Sequence, residues 1–308
     1  MVQQSFSAQK TVAFPSGTQV QTTLSQPATF SGPGLFHGIE ATVRLLPAEE
    51  HTGIVFQRVD IPDKPVIPAR VEYVTSAARR TVLQGPQGGK VETTEHLMAA
   101  LAGLQIDNCI VEISGPEVPA LDGSCLQMCE AILEAGRCRQ TATRKIARLR
   151  EPHGAGGGDG EWIEVTPRYT SVSSICYQLD YGQDSPVPAG AYSVNVTPEE
   201  FLAEIAGART FVLESEIEAL RRMGFGKHLT ARDLIVFSED GQVKENRLRW
   251  SDEPVRHKIL DCIGDLALSG VPFVGQVIAR RSGHKLNHVM ASTLSMISGR
   301  DITGRRAA

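Results

Sequence analysis

The stretch DEPVRHKILDCIGDLALSG, Asp252–Gly270, carries the punctuation of one complete helix. Asp252 suits the N-cap, Pro254 the first turn, where a missing N–H costs little, and Gly270 the end. Turning about 100° per residue from His257, the residues Val255, Ile259, Leu260, Ile263, Leu266 and Ala267 fill an arc from about 160° to 300°. Asp261 then falls near 40° and Asp265 near 80°. The apolar stripe gives the helix a packing face and leaves His257, Asp261 and Asp265 together on the other side. An imidazole and a carboxylate four residues apart can bind one metal ion from one helix face. His-x-x-x-Asp is short and frequent, however, and this segment alone favours the plainer reading of a solvated polar face.

Outward from this helix, turn signals and apolar alternation divide the chain into two similar halves. The first half has strand-like runs at Ala41–Leu46, Gly53–Gln57 and Cys109–Ile113, and helix-like runs at Thr94–Gly103 and Cys125–Ala135. The second has strand-like runs at Trp162–Thr166, Val172–Gln178 and Val274–Arg280, and helix-like runs at Ser215–Met223 and Pro254–Leu268. Strands followed by helices in each half point to an α+β fold rather than a repeating βαβ wind. The expected division is a disordered tail over 1–20, a first domain over 21–141 and a second over 146–303. Between them, polar and basic residues follow a helix ending at Gly136. The glycine-rich segment His153–Glu161 lacks the Gly-Lys-Ser/Thr ending of a phosphate loop and precedes a strand, so it reads as a hairpin tip.

Composition narrows the function classes. With 308 residues, 41% of them hydrophobic, the chain can build two ordinary domains around a substantial core. A net charge of −4 offers no global positive excess for a nucleic-acid partner. The pairs Arg79-Arg80 and Arg221-Arg222 read as solvated surface. The six cysteines, at 109, 125, 129, 138, 176 and 262, form no Cys-x-x-Cys pair and read as reduced thiols of a cytoplasmic protein. Cys125 and Cys129 can touch on one helix face, which suits packing better than metal binding. No run of eighteen apolar residues predicts a membrane-spanning helix, and the first twenty residues lack the apolar stretch of a secretory signal.

Two further segments carry chemistry-bearing side chains. In VETTEHLMAALAGL (Val91–Leu104), Thr93 or Thr94 can cap a helix whose apolar stripe is Leu97, Ala100, Leu101 and Leu104. Glu95 and His96 fall in its first turn and point about 100° apart, so one can bind a metal while the other faces water at the metal. A surface acid satisfying the helix dipole is an equal reading of Glu95. In ARRSGHKLN (Ala279–Asn287), Gly283 frees the backbone before His284, which is expected on a loop at a strand end.

Together these segments resemble the UDP-3-O-acyl-N-acetylglucosamine deacetylases, zinc enzymes of the committed step of lipid A synthesis. The matching runs are TTEHLMAALAGLQIDN (Thr93–Asn108), PALDGS (Pro119–Ser124), ARTF (Ala208–Phe211), RHKILDCIGDL (Arg256–Leu266) and SGHKLN (Ser282–Asn287), in family order. The start, Thr23–Leu35, and the run His51–Asp60 also look like the family. The resemblance implies two α+β domains, each a small sheet with two helices, with the helices packed between the sheets and the active site where the domains meet.

Residue by residue it implies His96, His257 and Asp261 as zinc ligands, a set that also suits Fe²⁺. It puts Glu95 at the general base, His284 at a second catalytic group and Asp265 at its partner. Thr210 falls at a hydroxyl near the scissile carbonyl, and Lys258 and Phe211 at substrate-holding positions. The implied substrate is an acylated UDP-amino sugar, whose acetamide is hydrolysed by a cytoplasmic, monomeric enzyme with no stable membrane insertion. Two stretches depart from the family pattern. Leu35-Phe36-His37-Gly38 stands where Leu-His-Ser/Thr-Gly is usual, and His228-Leu229-Thr230 where Gly-Gly-Ser is usual. They leave open a related metallo-amidase acting on another acylated sugar nucleotide. A non-catalytic sugar-nucleotide-binding protein would be expected to have lost a ligand or the base, and neither is lost here.

Overall fold

The computed structural model describes residues 19–301. The tail expected over 1–20 therefore lies outside the described residues except for Gln19 and Val20, and Val20 already opens a strand, Val20–Leu24.

In the first half, strands β1 (Ala28–Pro33), β2 (Glu40–Pro47), β3 (Ile54–Arg58) and β4 (Val66–Pro68) are followed by helix α1 (Glu95–Gly103), strand β5 (Cys109–Ile113) and helix α2 (Leu126–Ala135). The sheet order is β1-β2-β5-β3-β4, with only β5 and β3 parallel. In the second half, strands β6 (His153–Gly156), β7 (Trp162–Thr166), β8 (Ser174–Leu179) and β9 (Gly190–Asn195) are followed by helix α3 (Glu253–Ala267), strand β10 (Gln276–Arg280) and helix α4 (His284–Asp301). Its order is β6-β7-β10-β8-β9, again with a single parallel pair, β10 and β8. The halves thus share one topology, although no repeat is visible in the residues.

Alternation selects the faces. Ala41, Val43 and Leu45 on β2, Cys109, Val111 and Ile113 on β5, Ile163 and Val165 on β7, and Val277 and Ala279 on β10 all point inward, as a period of two requires. The helices cover these faces: α2 packs on β1, α3 on β8 and β9, and α4 on β6 and β7. Helices α1 and α3 pack on each other, so the helical layers of the two halves meet between the sheets. The α+β architecture is the expected one, with one contiguous core running through both halves.

Several local expectations need correction. The helix expected over Ser215–Met223 forms at Glu214–Arg222, but it does not cover the second sheet. It belongs to a separate unit with the parallel pair Phe211–Leu213 and Ile235–Phe237, and none of its residues is buried. The second covering helix is α4, and His284, expected on a loop at a strand end, is its first residue. Its Leu286, Met290, Ala291 and Leu294 are buried, a spacing interrupted by enough polar and β-branched residues to hide it. Gly283 is not among the positive-φ residues; Arg281, at φ 52°, makes the turn instead. The polar segment after Gly136 is a strand, Arg137–Thr143, paired antiparallel with Val20–Leu24. The strand expected over Val274–Arg280 breaks at Gly275. The glycine-rich segment is a hairpin as expected, with the Gly157 N–H donating to the Glu161 carbonyl at 2.8 Å.

Helix α3 is buried on nearly every side, from Glu253 to Leu266. Asp252 holds the N-cap position, but its carboxylate accepts from Arg256 Nε at 2.6 Å rather than from the helix end. Gly264 is where α3 meets α1: a Cβ there would overlap the carbonyl oxygen of Glu95. All six cysteines are free, and Cys125 and Cys129 lie Sγ to Sγ at 3.9 Å inside the core. Among the described residues no helix is long and apolar enough to cross a membrane.

Candidate metal and acid–base site

The turn into α1 puts two adjacent side chains into the gap between the halves. Thr93, a β-branched residue, sits at φ 56° and is held there by its hydroxyl, which donates to Glu117 at 2.9 Å. Such a conformation is costly for this residue type and persists only where its surroundings hold it. Helix α1 then starts at Glu95, and Glu95 and His96 are buried, only 3% and 5% exposed. Across the gap, His257 and Asp261 on α3 are each 3% exposed and Asp265 is fully buried. The solvated polar face and the surface acid are both excluded, because the side of α3 opposite its apolar stripe faces the other half rather than water.

His96, His257 and Asp261 converge, their ligand atoms all within 4.8 Å of one another. Asp261 Oδ1 lies 3.7 Å from His96 Nε2 and 3.5 Å from His257 Nε2. Donors about 2 Å from one tetrahedral ion stand about 3.3 Å apart, so the spacing suits a single cation. The ring of His257 is also turned for it. Its Nδ1 lies 3.0 Å from the Ala208 carbonyl, which can only accept, so Nδ1 carries the hydrogen and the Nε2 lone pair faces inward. Burial, with His257 beside it, pushes His96 down to about 3, and burial lowers His257 as well. Both imidazoles are therefore neutral and able to ligate. Burial works to raise the Asp261 carboxyl, but Lys258, with the His284 imidazolium, holds it well below the usual carboxylate range. Lys258 Nζ donates to Asp261 Oδ2 at 2.5 Å, leaving Oδ1 to the histidines.

The acid–base groups adjoin this cluster. Glu95 Oε2 accepts from the Thr81 N–H at 3.0 Å, while Oε1 stands 3.9 Å from His284 Nε2. Burial pushes the Glu95 carboxyl up to about 8. His284 opens α4, and its Nδ1 lies 2.8 Å from Asp265 Oδ2. Burial disfavours the imidazolium, but the Asp265 charge outweighs it and raises His284 to about 9. A cavity of about 1810 Å³ opens onto His257, Lys258, Asp261 and His284, with Thr210 and Phe211 also in its wall. Asp265 sits behind His284. The Phe211 ring stands edge-on to His257 and Tyr181. One side of the cavity is apolar, with Val212, Ile217, Leu220, Leu229 and Val236; Arg281 and Lys285 line another part.

Six of the nine residues singled out from the sequence line this cavity, and the other three stand against them, His96 beside His257 and Glu95 and Asp265 beside His284. Others there had no local signal. Thr81 Oγ1 lies 2.6 Å from Asp265 Oδ1, and His288 Nε2 and Asn287 Nδ2 reach the same carboxylate at 3.2 Å and 2.9 Å. His288 follows His284 by one helical turn, a spacing readable only once α4 is known to be a helix. Arg80 is buried rather than solvated. Its Nε donates to Glu92 at 2.7 Å, and its guanidinium lies over the rings of Phe36 and Phe225. The two stretches that depart from the family pattern touch here: a Cβ on Gly38 would overlap the His228 ring, and Gly226 N–H donates to the Phe36 carbonyl at 2.9 Å. His37 pairs with Glu92 at 3.2 Å.

Comparison with known proteins places the chain in one family. Residues 21–296 match the family model described as UDP-3-O-acyl N-acetylglycosamine deacetylase, LpxC. The chain is 39% identical over 269 residues to the UDP-3-O-acyl-N-acetylglucosamine deacetylase of Myxococcus xanthus, covering 87% of this chain and 84% of that one. Proteins of the same name from a Geobacter species and a Nostoc species are each 38% identical, covering 89% and 90% of this chain and 88% and 99% of theirs. Identity at this level along nearly the whole length, over a site assembled from both halves, makes the chain a member of the UDP-3-O-acyl N-acetylglycosamine deacetylase family.

Proposed function

We propose that the chain hydrolyses the acetamide of UDP-3-O-acyl-N-acetylglucosamine to the free amine and acetate, in the cytoplasm, as the committed step of lipid A synthesis. The observation that carries this reading is the meeting of a His–His–Asp donor set with a Glu and a His–Asp pair at one cavity. The division into domains 21–141 and 146–303 belongs to the same proposal, as does a monomeric chain.

His96, His257 and Asp261 would hold zinc, with Fe²⁺ as the other ion suited to these donors. A zinc ion held there supplies Lewis-acid polarisation of a carbonyl and acidification of water. Glu95 takes the proton of the attacking water at Oε1, the oxygen that Thr81 leaves free, a step typically worth roughly 10²–10⁴ in rate. His284, kept charged by Asp265, donates from Nε2 to the carbonyl oxygen as negative charge develops, and the Thr210 hydroxyl is a second donor. One such donor is typically worth about 3–4 kcal/mol. Glu95 or His284 returns a proton to the leaving amine. Lys258 and Phe211 hold the sugar nucleotide, and the apolar side of the cavity suits the acyl chain.

Acetate release from UDP-3-O-acyl-N-acetylglucosamine by the purified zinc-loaded chain tests this reading. Turnover that depends on metal and on Glu95 is expected. Absence of acetate release from a folded, metal-loaded chain would overturn it.

A further inference from the structure

We propose that Thr81 is a positioning residue that holds the two acid–base groups of the site in register, the Glu95 carboxylate through its backbone and the Asp265–His284 pair through its side chain. This rests on the deacetylase reading above. Thr81 is fully buried and lies just before the short strand Val82–Gln84 of the first half. Its N–H donates to Glu95 Oε2 at 3.0 Å. Its Oγ1 lies 2.6 Å from Asp265 Oδ1, a carboxylate of the second half. One residue thus spans both halves and touches both groups.

The hydrogen count around the hydroxyl supports one arrangement. Threonine has a single hydroxyl hydrogen and two acceptor lone pairs. An ionised Asp265 can only accept, so that hydrogen goes to Oδ1. Toward His288, 2.9 Å away, Thr81 Oγ1 can then only accept, so His288 Nε2 carries the hydrogen. Asp265 receives Thr81 on Oδ1, with a longer share of the same His288 hydrogen at 3.2 Å, and His284 Nδ1 and Asn287 Nδ2 on Oδ2. The Oδ1 donors stop the carboxylate from turning about its χ2 axis, and this fixes the plane of His284. Without the hydroxyl, His288 is the only side chain left on Oδ1, and at a longer distance. Arg80, laid over the touching rings of Phe36 and Phe225 and bound to Glu92, anchors the chain immediately before Thr81.

The test compares Thr81→Val with Thr81→Ser in the full zinc-loaded chain. Valine keeps the branch and the backbone N–H but loses the hydroxyl; serine keeps the hydroxyl. Partners that orient a reacting or ligating group typically contribute about 10–100-fold. Thr81→Val should lower kcat for acetate release by about 10–100-fold, leaving KM within about twofold and metal content unchanged. Thr81→Ser should stay within about threefold of the parent. A second readout needs no turnover: exchange of the His284 Nδ1 hydrogen, followed by ¹⁵N–¹H spectroscopy, should quicken in Thr81→Val and not in Thr81→Ser. Thr81→Ala serves the same comparison if the valine variant does not fold. Should the parent chain release no acetate, the deacetylase reading falls, and the exchange measurement still decides the role of Thr81. Unchanged exchange, or unchanged kcat in an active chain, would overturn it.

Discussion

At the scale of single residues the site works by assigning different tasks to chemically similar groups through burial and partner. Asp261, with Lys258 on one oxygen and two imidazoles near the other, is held charged. Glu95, one helix away, is driven by burial toward the neutral form. Glu95→Ala should lower acetate release by at least 10²–10⁴-fold while metal analysis still finds about one zinc per chain, because Glu95 is not one of the three converging donors. His284 gives a pH prediction. With its imidazolium held to about 9, the alkaline limb of kcat/KM that it controls should lie near pH 9, and Asp265→Asn should move that limb toward the ordinary 6.5. The same pair enters stability. His284, raised above its ordinary 6.5, contributes stability that is complete below that pH and is lost as pH climbs through about 9. Asp265, held below its ordinary 3.8, contributes stability that is complete above that pH and is lost on acidification. Urea midpoints measured from pH 6.5 to 9 should fall more steeply in the parent than in Asp265→Asn.

At the scale of elements, the contact of α1 with α3 sets the distances between the acid–base group of one half and the metal donors of the other. Gly264 allows that approach because any side chain there would meet the Glu95 carbonyl oxygen. Gly264→Ala should destabilise the chain by about 1–3 kcal/mol, read from urea midpoints. It should also lower kcat by up to about 10²-fold, since a shift of about 1 Å in a reacting group can cost that much. Both helices were legible in the sequence, from an apolar stripe with a capping residue, a first-turn proline and a terminal glycine on α3. Helix α4 was not. Its inward positions are Leu286, Asn287, Met290, Ala291 and Leu294, so a polar residue sits within the stripe, and the turn ahead of it uses Arg281 in a left-handed conformation rather than the glycine. The helix at Glu214–Arg222 was legible as a helix but not in its placement, because a strongly amphipathic pattern does not say which surface it will cover.

At the scale of the whole molecule, two copies of one topology enclose a single asymmetric site. His96 comes from the first copy, and His257 and Asp261 from the second, so a bound cation links the halves. Ligation by the folded chain alone stabilises it by mass action, about 4.1 kcal/mol at a free metal concentration a thousand times Kd. A chelator should therefore lower Tm, zinc should restore it, and His96→Ala should abolish most of the difference. The sequence by itself determined the α+β class and the helix of Asp252–Gly270, because apolar periodicity, caps and residue type act over a few neighbouring residues, whereas the full set of nine chemistry-bearing side chains came from the resemblance of the ordered motifs to the family. Only the tertiary structure decided that the polar side of that helix is buried rather than solvated. It alone brought Thr81, Arg80 and His288 to the site and gave the two similar halves one strand order. Those outcomes depend on contacts between residues tens to hundreds of positions apart, such as Thr81 with Asp265, which no local pattern encodes.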